Sequence, residues 1–234
     1  MLLSYGKKVS VSSSLEGYPA ENIVDEDART AWVAQSNRDM EWAQVDLQRL
    51  SSIHAIQVNF DEYGANQKGA VSGVYQSYLI YASVNGEDWS LVVDYGTKKT
   101  DTPHDYIEFE EPFKARYIKL QNKEYMVSEN FSVRDLRIFG KGQGSTPRAV
   151  NDFTVERDEA DPCKARLCWE AVPDAQGYIV RYGIAGDKLY NNFQVMGENT
   201  LEIGSLNKGV AYYFTIDAYN ENGITRTSRI KVCR

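Results

Sequence analysis

Apolar and polar positions alternate with a period of two along most of this 234-residue chain. That period is the signature of strands with one buried face. It predicts strands over Trp42–Leu47, Ser52–Phe60, Tyr78–Val84, Trp89–Tyr95, Asp105–Phe109, Ala115–Leu120 and Val133–Phe139. A second series follows over Leu167–Trp169, Gly177–Gly183 and Ala211–Asn220. Asn85-Gly86 supplies a tight hairpin turn between two of them, since both residues tolerate positive φ. No stretch has a convincing helical period. Many short strands at this spacing predict a sandwich or jelly roll.

The pattern breaks at Gly140–Pro147, where three glycines and a proline fall within eight residues. Such a run reads as a linker. It divides the chain into a first domain over 1–140, a linker over 141–148 and a second domain over 149–234. The second length suits a seven-stranded immunoglobulin-like sandwich.

Composition narrows the partners. Net charge is −7, with 15 Lys/Arg against 21 Asp/Glu in residues 1–145 and near balance after that. No block of basic residues exists, which argues against nucleic acid and anionic membrane surfaces. No apolar run is long enough to insert into a membrane. The start, Met1–Lys8, lacks the charged segment and apolar core of a signal peptide. Two readings stay open: a cytoplasmic protein, or a fragment of a longer secreted precursor. Sixteen tyrosines suit both strands and wet recognition surfaces. The three cysteines, Cys163, Cys168 and Cys233, form no Cys-x-x-Cys pair, and only two histidines occur, which disfavours zinc. They leave open three free thiols or one disulfide involving Cys233. Cys168 adjoins the expected core residue Trp169 and should point away from it by strand alternation.

Trp169, Gly177-Tyr178-x-Val180-x-Tyr182-Gly183, and Leu206 six positions before Tyr212 resemble the fibronectin type III pattern. The resemblance implies that Trp169 and Leu206 are core and that Tyr212 closes a corner by hydrogen bonding to backbone. The first part, with Asp25-Glu26-Asp27-Ala28-Arg29-Thr30-Ala31-Trp32 ahead of Trp42–Leu47, resembles discoidin-like domains, among them family 32 carbohydrate-binding modules. The implied fold class is all-β: a discoidin-like (galactose-binding-like) jelly-roll sandwich followed by an immunoglobulin-like, fibronectin type III sandwich.

The resemblance also implies a structural Ca2+ ion. Asp27 and Thr30 match positions that give side-chain oxygens, Asn22 and Asp25 match positions that give carbonyls, and Asp135 stands where an acid on the last strand closes the site. Calcium takes six to eight oxygens, which a short loop meets by mixing donor types. Glu26 stands where the family has glycine, and Asp135 is one methylene shorter than the usual glutamate. Without a metal, the same residue types are ordinary turn formers that cap local backbone.

In such domains the ligand surface lies on loops at one end of the sandwich, here 35–41, 61–77, 98–105 and 123–132. Sugars are met by aromatic faces and planar polar groups. Arg38, Glu62, Tyr63, Tyr75, Asn130 and Phe131 form the candidate carbohydrate-binding set. Trp32, Trp42 and Trp89 read as packing. Adjacent acids such as Asp61 and Glu62 lack the opposed geometry of a glycosidase pair, so no catalytic residue is expected.

The order of modules, with Lys188–Val195, resembles the C-terminal tail of family 43 glycoside hydrolases of Bacteroidetes, which include β-xylosidases and arabinofuranosidases. The resemblance implies a non-catalytic, monomeric, carbohydrate-binding tail of a secreted or surface enzyme acting on polysaccharides such as xylan or arabinan. Its catalytic domain would lie upstream in the same polypeptide, and its place would be the periplasm or cell surface. A structural spacer packed on that catalytic domain and a surface adhesion protein are the alternatives.

Overall fold

The computed structural model describes residues 1–65 and 73–234 and forms two compact units, Met1–Gln143 and Gly144–Arg234. In the first unit the strands are β1 (Lys8–Val11), β2 (Trp32–Val33), β3 (Trp42–Phe60), β4 (Gln76–Ser83), β5 (Ser90–Tyr95), β6 (His104–Tyr125) and β7 (Ser132–Gly142). A short 3-10 turn covers Ala20–Val24, where alternation predicts nothing helical. Its Ile23 and Val24 are buried and join the core.

Two pairs of expected strands merge. The runs 42–47 and 52–60 are arms of β3, and 105–109 and 115–120 are arms of β6. Register shifts between Asp46 and Ser51 and between Ile53 and Ala55 re-aim β3. Bulges bend a strand without ending it, which lets one strand serve both layers of a jelly roll. One arm lies in the order β1–β3–β6–β4–β5, and the other pairs β3 with β7, which carries β2.

The two layers enclose one core with Trp32, Phe60, Tyr78, Tyr125 and Phe131 at its aromatic centre. Phe131 meets Trp32 edge-on at 5.8 Å and Tyr125 edge-on at 5.3 Å. Each such ring contributes roughly 1.5–3 kcal/mol by leaving water. Trp32 fulfils its expected packing role, whereas Trp42 and Trp89 are only half-buried. Trp42 alternates with the buried Ala43 and so faces out. Trp89 precedes β5 and lies on the loop. That loop is longer than a two-residue hairpin. Ala82 pairs with Ser90, and the Asn85 carboxamide oxygen accepts the Glu87 and Asp88 N–H groups at 2.9 Å each. Gly86 takes φ +83°, and a Cβ there would press on the Tyr117 ring at 3.3 Å.

The second unit contains β8 (Phe153–Arg157), β9 (Ala165–Trp169), β10 (Gly177–Gly183), β11 (Asn191–Met196), β12 (Thr200–Ile203), β13 (Tyr212–Asn220), β14 (Gly223–Thr225) and β15 (Lys231–Cys233). One sheet runs β11–β10–β13–β14, with β15 also on β13, and a second runs β12–β9–β8. Trp169, Tyr178, Leu206, Tyr212 and Phe214 are buried between them. The Tyr212 hydroxyl accepts the Asn207 N–H at 3.3 Å, closing a corner. All three cysteines are free thiols; Cys168 is half-buried and Cys233 buried.

Candidate binding site

Hydrogen bonds tie three of the expected loops into one group at an end of the first unit. Ala34 N–H donates to Phe131 O at 2.8 Å, and Phe131 N–H returns to Ser36 O at 2.9 Å. Asn37 Nδ2 donates to Ser128 O at 2.8 Å and to Tyr125 O at 3.3 Å. Met126 N–H donates to Tyr75 O at 3.1 Å, and the Tyr125 hydroxyl donates to Asp61 O. The residues 35–41, 61–63, 75 and 125–131 are thus held by one another.

At the centre is Asn122, fully buried, whose Nδ2 donates to Asn37 O at 2.8 Å and Arg38 O at 3.0 Å. These bonds fix a turn that leaves Arg38 exposed and places Met40 at φ 83° with its side chain 62% exposed. A non-glycine residue in that region is strained and persists only where its surroundings over-determine it, a condition common at ligand clamps. Gln121 Nε2 donates to the Met40 sulfur at 3.2 Å.

The expected carbohydrate-binding residues fare differently. Arg38 and Glu62 are exposed. Tyr63 is half-buried and packs edge-on to Tyr18 at 4.9 Å. Tyr75 is half-buried, with Lys99 Nζ 5.2 Å from its ring. Asn130 spends its Nδ2 on Ala34 O at 2.9 Å, so it builds the loop. Phe131 is 1% exposed and belongs to the core. Placing it on the surface was an error of phase: it begins the chain's return into β7 and fills the space between Trp32 and Tyr125. Residues 66–72 of the expected loop 61–77 lie outside the described residues. In the loop 98–105, His104 Nδ1 lies 3.2 Å from Asn59 Oδ1. Sequence reasoning missed Met40, Met126 and Asn122. The two methionines are apolar residues in polar loops, a legible signal; Asn122 has none outside the fold.

The acidic loop is locally closed. Asp25 accepts the Asp27 N–H at 2.9 Å and the Thr30 hydroxyl at 2.7 Å. Asp27 is engaged by the Arg29 side chain and backbone, which hold its carboxyl below the usual range. Asn22 Nδ2 donates to Ala31 O at 2.8 Å. Asp135, on β7, accepts Asn59 Nδ2 at 2.8 Å. Glu26 keeps the geometry that glycine would favour, at φ 62°, and its carboxylate takes both Nε and Nη2 of Arg137 on β7. A guanidinium therefore ties this loop to the last strand. Among the described residues no three acidic, histidine or cysteine side chains gather as a metal-binding group. The side chains of Asn22, Asp25, Asp27 and Thr30 are thus engaged within the loop or by Arg29, and that of Asp135 by Asn59.

Comparison with known proteins places this geometry. The F5/8 type C domain model matches residues 8–135. Lactadherin of Rattus norvegicus is 33% identical over 110 residues, covering 44% of this chain and 25% of the relative. Lactadherin of Mus musculus is 32% identical over the same length, covering 44% and 23%. The chain thus spans about a quarter of the length of these curated relatives. Among solved structures, chitosan-binding module 1 of a chitosanase/glucanase from Paenibacillus sp. IK-5 superposes with a TM-score of 0.51 at 20% identity, covering 60% of this chain and 99% of that one. Module 2 of the same enzyme, solved with chitotriose, gives 0.50 at 19% identity, covering 59% and 99%. These two likenesses speak for the fold.

Proposed function

From the premise that the chain belongs to the F5/8 type C domain family, we propose that it is a non-catalytic, carbohydrate-binding accessory region. The observation that carries this reading is the Asn122-braced turn, which holds exposed Arg38 and strained, exposed Met40 on a loop that hydrogen bonds link, through residues 125–128, to the loop of Glu62, Tyr63 and Tyr75. A guanidinium, a carboxylate and phenol rings on braced loops are suited to sugar hydroxyls and the apolar face of a pyranose. Braced loops lose little entropy on binding. The chitotriose bound by the second chitosan-binding module adds weight to a saccharide ligand.

The second unit is, in this proposal, a fibronectin type III domain; the Tyr212 corner and the buried Trp169 and Leu206 support it. The whole is proposed as the tail of a secreted or surface glycoside hydrolase of family 43 type that acts on xylan or arabinan. It would raise substrate concentration at the attached catalytic domain. That part rests on the resemblance in the order of modules.

Affinity electrophoresis against chitosan, xylan, arabinan and galactan tests the binding role. Retardation by at least one neutral polymer is expected, and R38A with Y63A should reduce it at least tenfold. Silence across all four, with the protein folded, would leave a structural spacer as the better reading.

A further inference from the structure

The layer β1–β3–β6–β4–β5 turns one face to the core and the other outward. Val45, Ile118, Leu120, Ile80 and Ala82 are buried, so the residues alternating with them face out. On that outer face Lys119 of β6 pairs across the ladder with Gln44 of β3 on one side and Tyr81 of β4 on the other. Cross-strand partners share a face. Lys119 Nζ lies 4.1 Å from the Trp89 ring centroid and 5.4 Å from that of Tyr81. Trp89 in turn meets Tyr117 at 6.5 Å. All five side chains, Lys119, Gln44, Tyr81, Trp89 and Tyr117, are half-buried.

The charge on this face is unbalanced. Arg116, its neighbour, is paired with Asp46 through two hydrogen bonds of 2.8 and 2.9 Å. No carboxylate among the described residues pairs with Lys119. Burial pulls its ammonium below the usual lysine range, with no opposing charge to restore it. Aromatic faces return only part of an ammonium's lost hydration. A desolvated cation without a counter-ion, set among flat rings and a carboxamide, has the chemistry to receive one anion carried on a flat, hydroxylated molecule.

We propose that this outer sheet face is a second glycan site, separate from the loop end, that selects a polysaccharide bearing a sparse carboxylate. Lys119 takes the carboxylate, Tyr81 and Trp89 flank the sugar ring, and Gln44 meets a hydroxyl. Arg116 and Lys8 on this face both lie toward Asp46, so Lys119, which has no carboxylate partner among the described residues, matches one acidic substituent on an extended chain. A nucleic acid or fully charged polyuronate would bring many anions to a unit that is itself acidic.

The test compares glucuronoxylan with the same polymer after its carboxyl groups are reduced to alcohols. Isothermal titration of the full chain should show about tenfold weaker binding to the reduced polymer, the size of one charge-assisted contact. K119M should bring glucuronoxylan down to the level of the reduced polymer, and K119R should keep the difference. Equal affinity for the two polymers in the unaltered protein overturns the proposal, as does an unchanged preference in folded K119M. Binding to the reduced polymer alone would leave the loop-end site standing while this one falls.

Discussion

Glu26 accepts both N–H groups that Arg137 offers, Nε at 3.0 Å and Nη2 at 2.6 Å, from a backbone position with φ of 62°. The two side chains are 23% and 31% exposed, so the pair is only partly screened by water. It joins the acidic loop to β7, the task that the family resemblance assigns to calcium. R137A should lower stability by about 1 kcal/mol. E26G loses the pair but relieves the left-handed backbone. It should therefore be more stable than E26A, by about 1 kcal/mol. Chemical denaturation of the three variants checks this ordering.

The same clamp makes a prediction about metal. A tightly held ion stabilises the folded state by mass action, so its removal lowers the melting midpoint. With Arg137 in place, a chelator should leave the midpoint unchanged. A fall on chelation that added calcium reverses would overturn this and point back to Asn22, Asp25, Asp27, Thr30 and Asp135 as ligands.

Asn122 offers a test of the braced turn. Its Nδ2 reaches two successive carbonyls from a fully buried position. N122A removes the donor to Asn37 O and leaves Arg38 O with only the Glu41 N–H at 3.2 Å, and should cost about 1–3 kcal/mol. It should also weaken saccharide binding, because Arg38 and Met40 lose their support. Stability loss with unchanged affinity in the folded fraction would separate the turn from the ligand.

Phe131 shows where sequence reading runs short. Period-two alternation found most strands because one buried face imposes that period. It could not show that 42–47 and 52–60 are one bent strand, since a bulge leaves no mark on composition. Nor could it phase the irregular approach to β7, where loop and core residues are adjacent in sequence. Glu26 in place of glycine was legible; its partner Arg137 was not, because 111 residues separate the two in the chain. Buried as it is among Trp32, Tyr125 and Phe60, Phe131 should behave as core. F131A is expected to cost about 3–5 kcal/mol in denaturant titrations. A loss below about 1 kcal/mol would return it to the surface.

Asp46 sets the last expectation, through pH. Arg116 hydrogen bonds hold its carboxyl below the ordinary range, against the opposing effect of burial. A carboxyl depressed in the folded state binds fewer protons there than in the unfolded chain, so its contribution rises with pH. It is fully present above the unfolded value of about 3.9 and is lost as pH falls through the lower folded value. D46N cannot form the charged pair at any pH. The stability gap between the unaltered protein and D46N should therefore be constant from neutral pH down to the unfolded value and close in stronger acid. Urea titrations across that window measure the gap directly. A gap that persists unchanged at the acid end would mean that the Arg116 contact does not depend on the charge of Asp46.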